Sequence, residues 1–329
     1  MKSVVAALAT GAVLLGASPA AADPAGPTDF QSEIITVDPE TATITASMLG
    51  GDSFLLLEVE LGTEVLVLGY RAEPYLRFRS DGTVEQNLNS PTHYLNEDRF
   101  GEEAIPDFAT PDAEPQWDEV DSDGSHAWHD HRTHWMNRQD PLGSKRGDQI
   151  LEAVVPLVVD GVEVDVTVSS VWQQEPSVVP VVLGGLAGVA LAALAYVGLG
   201  SVNRAALLSA GLAGAALVVG VAQNWSLPPE TGPSRLNWLL PVTGLALMAG
   251  AGGLRRLEPL VRWAVVAAGA AELLLWGWLR RGGIGAAILP TDLPFWLDRL
   301  VTALAGVGGL GITAVAVYAI TRPPTEGPA

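Results

Sequence analysis

From residue 30 to residue 96 the chain alternates apolar and polar positions in short runs. Residues 33–37, 41–48, 53–61, 64–68, 74–79 and 83–88 are rich in β-branched and aromatic side chains, the period-two pattern of half-buried strands. Asp38-Pro39, Gly50-Gly51-Asp52, Gly62 and Asp81-Gly82 separate them. Asp81-Gly82 is a tight hairpin signal, and Asp160-Gly161, between runs 149–159 and 162–172, is a stronger one. Seven or eight such strands predict an all-β sandwich of immunoglobulin-like or cupredoxin-like size. Residues 97–123 interrupt the pattern with eleven acids, one base (Arg99) and three prolines, and read as a long solvated loop.

After Glu175-Pro176 the pattern changes. Runs 178–200, 205–222, 236–254, 263–279 and 300–320 are apolar over about the length a bilayer requires. They predict five helical spans in a region 177–322, with a tail 323–329. Residues 282–290 read as a re-entrant or interfacial piece. Trp172, Trp225, Trp238, Trp263, Trp278 and Trp296 fall near the predicted ends, as in an aromatic belt. Glycine and alanine dominate the spans, for example Gly184-Gly185 and Gly188, which suits close helix packing.

At the start, Lys2, the apolar run 4–16 and Ala20-Ala21-Ala22 before Asp23 have the outline of a secretory signal peptide, residues 1–22. An uncleaved anchor is the alternative. Either way the β domain, 23–176, is expected outside the cytoplasm. Five spans then put the C-terminus inside. Arg204, Arg255, Arg256, Arg262 and Arg322 fall on the inner side, and Arg235, Arg280, Arg281 and Arg299 on the outer. That difference gives little orientation of its own.

Charge sharpens the division. The chain carries −19 overall, with 31 acids and 8 bases between residues 23 and 177. Such a polyanionic domain repels phosphate, so nucleic acid is excluded as a partner. The lipid bilayer is the expected partner, and a membrane or extracytoplasmic protein is a further candidate. With no cysteine, disulfides, thiolate metal sites and thiol nucleophiles are excluded as well.

The candidate chemistry lies in one segment. Four of the five histidines, His126, His129, His131 and His134, fall within nine residues, followed by Met136. Imidazole is a common ligand for zinc and copper, and thioether tilts the choice toward copper. If the segment is extended, His129 and His131 share one face, and His126, His134 and Met136 the other. His93 is an outlying donor, and Asp130 would orient an imidazole from behind. The competing reading is a hydrogen-bonded core network tying this segment to the acidic loop. A catalytic or pH-sensing use of the histidines is a third. Glu119-x-Asp121-x-Asp123-Gly124 with Asp130 outlines a calcium loop. Its first and last residues depart from the pattern and no helix flanks it, so an acidic turn is expected there rather than calcium. Glu272 stands inside the fourth span, where a carboxylate usually marks a proton, ion or helix contact. Serine-hydrolase, zinc-protease, Walker and dinucleotide motifs are absent from the sequence, so a binding or interaction role is expected over catalysis.

The runs Gly69-Tyr70-Arg71-Ala72-Glu73-Pro74-Tyr75-Leu76-Arg77-Phe78, Asn87-Leu88-Asn89-Ser90-Pro91-Thr92-His93-Tyr94-Leu95-Asn96 and Trp128-His129-Asp130-His131-Arg132-Thr133-His134-Trp135-Met136 resemble a group of actinobacterial membrane proteins. These pair an exported β domain with a C-terminal helical bundle. The architecture is remotely similar to the CopC/CopD/YcnJ-type copper-handling proteins. That resemblance implies copper or zinc handling outside the membrane. It supplies no ligand, because Asp23-Pro24-Ala25 stands where a CopC-like domain begins with a ligand histidine. The alternative function is a structural or interaction protein whose sandwich recognises a partner.

Overall fold

A computed structural model describes residues 24–199 and 201–322. The expected signal peptide, residues 1–22, and the expected tail, 323–329, lie outside the described residues.

Among the described residues, ten antiparallel strands form two sheets. They are β1 (Phe30–Asp38), β2 (Ile44–Leu49), β3 (Phe54–Val59), β4 (Val65–Leu68), β5 (Pro74–Phe78), β6 (Val84–Asn87), β7 (Trp117–Asp121), β8 (Ser125–Trp128), β9 (Gln149–Val159) and β10 (Val162–Trp172). The larger sheet has the order β1-β10-β9-β4-β5-β6-β7, the smaller β2-β3-β8. The β9–β10 hairpin turns at Asp160 (φ 48°) and Gly161 (φ 83°), both left-handed, as its two-residue loop requires. Val164, Val166 and Val168 point inward from β10 while Glu163 and Asp165 point to water. Their inward row shares one core with Leu55, Leu57 and Val59 of the smaller sheet and with Val67, Leu76, Phe78 and Leu157. The two sheets therefore cover each other's apolar faces, and the domain is a sandwich.

Two elements depart from the sequence expectation. Within the acidic stretch 97–123, Trp117–Asp121 forms edge strand β7 on β6. Its outward acids stay solvated at the sheet edge, which is why charge density hid it. Residues Pro91–Leu95 form a short helix, α1, with Ser90 as its cap and Pro91 in its first turn. Glu73 holds it: its buried carboxylate accepts from Ser90 Oγ (2.9 Å), Thr92 Oγ1 (2.6 Å) and the Arg71 amide (3.0 Å).

The remainder is a bundle of α2 (Val179–Val197), α3 (Val202–Trp225), α4 (Leu236–Gly253), α5 (Pro259–Leu279) and α6 (Phe295–Thr321). All five are long and apolar enough to cross a membrane, so the chain is a multi-pass membrane protein. The α2–α6 contact runs over glycines: a Cβ on Gly184 would stand 2.2 Å from Leu300 O, and one on Gly188 2.7 Å from Gly308 N. Val182, Leu183, Leu186 and Val189 face away from the bundle. Trp225, Trp278 and Trp296 are exposed at helix ends, as a belt requires, whereas Trp172 and Trp263 are buried and belong to packing instead. Residues 281–284 form a 3-10 turn, and the following Ile288 pairs with Thr28. The 282–290 piece is thus one of the places where the bundle meets the β domain.

Candidate functional site

The chain changes sheets between β7 and β8. Gly124 makes the crossing with φ 77°, and a Cβ there would stand 2.7 Å from Val59 O. Only glycine fits so close an approach. This turn sets Asp121, paired with Val84, beside His126, paired with Leu57. A third residue comes from the bundle. The loop between α3 and α4 holds a 3-10 turn, Pro229–Thr231, closed by left-handed Gly232. Buried Thr231 fixes it by donating from Oγ1 to Pro228 O at 2.7 Å. The turn presents Glu230 to the domain.

One donor atom each of Asp121, His126 and Glu230 lies within 4.8 Å of the other two. Among the described residues this is the one such group of three or more histidines and acids. His126 Nδ1 stands 3.7 Å from Asp121 Oδ2, too far for a hydrogen bond. That nitrogen is buried without a hydrogen-bond partner. Burial lowers the His126 pKa against the pull of Asp121 and Asp123, so the ring is neutral and keeps a lone pair. Burial raises the Glu230 pKa, with Asp121 and Asp123 adding to it against the backbone amides of Glu230 and Ala127. Two carboxylates and a neutral imidazole are therefore crowded together. Tetrahedral ligands at about 2.1 Å stand about 3.4 Å apart, so an ion needs only side-chain adjustment of about an ångström.

The histidine-rich segment is arranged differently. β8 ends at Trp128, and the chain turns at Asp130, whose carbonyl accepts from Thr133 N (2.9 Å) and Oγ1 (2.7 Å). The face assignment expected of an extended strand therefore stops at residue 128. Asp130 is fully buried and accepts from Trp128 Nε1 (3.1 Å) and from Arg132 Nε (2.8 Å) and Nη2 (2.7 Å). Burial opposes its charge, but Arg132 and the indole outweigh that and hold its pKa below the usual range. Arg132 also donates to Leu68 O (3.1 Å) and covers the Tyr70 ring.

His129 stacks on Phe54 with ring centroids 4.2 Å apart. His131 stacks on Tyr70, and its Nε2 is bonded to Asp98 O at 2.9 Å. His134 lies 5.5 Å from the His131 ring and 6.1 Å from that of His129, with Nδ1 bonded to Trp135 O at 3.2 Å. Three rings thus gather under the turn. His93, on α1, faces Glu97 at 3.5 Å, and Met136 is exposed on the surface. Asp121, Asp123 and Gly124 of the suspected calcium outline form the sheet crossing, while Asp130 belongs to the arginine pair.

In the bundle, Glu272 is half-buried on α5, and the Thr243 hydroxyl of α4 bonds its Oε2 at 2.7 Å. At the end nearest the β domain, Arg280 pairs with Asp298 at 2.5 Å and bonds Gln223 and Asn237, joining four helices.

Sequence reasoning missed Glu230. Its signal is composition: it is the sole acid between Glu175 and Glu258, set in Pro228-Pro229-Glu230-Thr231-Gly232-Pro233. Only the fold shows that this loop reaches β8. No family model, curated protein or solved structure matches the chain.

Proposed function

We propose that the chain is a membrane-anchored, extracytoplasmic metal-binding protein whose ion is held by Asp121, His126 and Glu230. The convergence of these three side chains from separate elements carries the reading. One imidazole and two carboxylates suit zinc among the available divalent ions. Copper(II) accepts the same donors, and the thioether of Met136 lies outside the set. An ion there would also offset the mutual repulsion of two half-buried acids.

The test is calorimetric titration of the purified full chain with zinc chloride and with copper(II) chloride, after dialysis against a chelator. Wild type is expected to bind one ion per chain. Replacing His126 with alanine or Asp121 with asparagine should weaken binding by about a hundredfold. Equal affinity in wild type and both variants would remove the site.

A second reading is favoured by the contacts around Asp130. In it the segment 128–134 is a structural network, with Asp130–Arg132 at its centre and His131 fastening Asp98 of the acidic loop. It assigns the three gathered histidines to stability, and is compatible with the domain recognising a protein partner.

A further inference from the structure

The β domain meets the bundle at two places of opposite character. The first is a backbone joint. Thr28 and Ile288 exchange both bonds, at 3.1 and 2.9 Å. Asp29 beside them accepts from the Ala287 amide at 2.8 Å and pairs with Arg146 at 2.8 Å. Behind the joint, Arg299 of α6 is buried and donates to Ala286 O (2.5 Å), Ala287 O (2.9 Å) and Gly283 O (3.2 Å). Each of these contacts joins a donor to an acceptor, so the joint needs no ion to hold.

The second is the Asp121–His126–Glu230 cluster, where acids of the domain face an acid of the bundle across a neutral ring whose Nδ1 has no hydrogen-bond partner. Unbridged, Asp121 and Glu230 repel each other here, against the pull of the Ala127 amide of β8 on Glu230. Beside the first joint the seam is incompletely packed: a cleft of about 380 Å3, reaching Thr28 and Asp29, separates Phe30, Arg99 and Trp135 from Gly282, Gly285 and Ala286. The Glu230 loop is also tied to the helices. Ser226 Oγ accepts from the Asp292 amide at 2.9 Å and donates to Ala222 O on α3 at 2.8 Å.

We infer that a zinc-class divalent cation acts as an interdomain clasp, closing the second joint through Asp121 and His126 on one side and Glu230 on the other. This rests on the metal reading given above. Without the ion the carboxylates push the second joint open, and the Thr28–Ile288 joint serves as the hinge. Binding outside the membrane is then transmitted to the ends of α3 and α4 through the loop at 226–235.

Hydrogen exchange of the full chain in lipid nanodiscs tests this, with and without zinc chloride, with bound zinc measured by mass spectrometry on the same samples. Zinc is expected to slow exchange in peptides covering 226–235 and 117–128 of wild type by about tenfold. Glu230→Gln, which keeps both domain ligands and removes the facing charge, should show no zinc effect in 226–235. Zinc bound with unchanged exchange at 226–235 overturns the clasp and leaves the metal site standing. An equal zinc response in Glu230→Gln also overturns the clasp. No zinc bound to wild type overturns both.

Discussion

The His134 ring is 1% exposed and its Nδ1 is committed to the Trp135 carbonyl. A second proton would place an unsolvated charge beside Arg99 and two other imidazoles. Its pKa is pushed down to about 3, by burial first and by Arg99 and the neighbouring histidines after it. The unfolded chain binds that proton near pH 6.5. Between the two values the unfolded state holds the extra proton, so acid favours unfolding. The contribution is fully present above pH 6.5 and is lost progressively as pH falls toward 3. Burial shifts His93 and His126 the same way. Thermal melts of the full chain from pH 7.5 to 5 should therefore show a falling midpoint. His134→Gln has no proton to exclude, and its slope should be shallower whatever its midpoint at pH 7.5. Equal slopes would show that His134 does not set the acid response.

Packing at the scale of elements yields a sharper test. Helix α2 rests mainly on α6, and their backbones approach at Gly184 and Gly188. A side chain at Gly188 meets Gly308 N and Leu304 O, neither of which can rotate away. Gly188→Leu should cost at least about 2 kcal/mol of bundle stability through overpacking. Gly185→Leu, whose nearest neighbour is Val307 at 3.9 Å, should be close to neutral. Detergent-solubilised melting midpoints separate the two, and equal losses would mean that the helices do not pack on this seam.

The same scale shows what was legible beforehand. The Asp160-Gly161 and Asp81-Gly82 hairpins were readable because a two-residue turn between alternating runs has one solution. The five spans were readable because length and apolarity leave no other. Strand β7 was not, since its acids look like loop until the partner β6 is known. The candidate site was half legible. His126 was one of six candidate ligands offered together, with His93, His129, His131, His134 and Met136, and Asp121 appeared in a different outline. Glu230 belongs to another element altogether, and the period of a sequence says nothing about which loop meets which strand. The turn at Asp130 likewise defeated the face assignment, because a buried Asp–Arg pair bends the chain where alternation would have continued.

For the whole molecule, the contacts of Glu230 with β8 and of Ile288 with Thr28 put the loops 226–235 and 280–294 at the same end of the bundle as the β domain. The ends of α2 and α4, at Val197 and Gly253, therefore lie at the opposite end. The proposed outward placement of the domain draws modest support from charge once partners are counted. Of the four arginines at the domain end, Arg280 is neutralised by Asp298 and Arg299 is buried against carbonyls, which leaves Arg235 and Arg281 exposed. At the far end Arg255 and Arg256 are exposed, where free cations are retained on the cytoplasmic side. Because the chain contains no cysteine, single substitutions report sidedness without background. Lys145→Cys in the domain and Ser234→Cys in the α3–α4 loop should both react with a membrane-impermeant maleimide on intact cells. Arg256→Cys should react only after permeabilisation. Labelling of Arg256→Cys on intact cells with protection of Lys145→Cys would place the domain in the cytoplasm. Opposite behaviour of Lys145→Cys and Ser234→Cys would separate the domain from the Glu230 loop, and the metal site could not form from this chain.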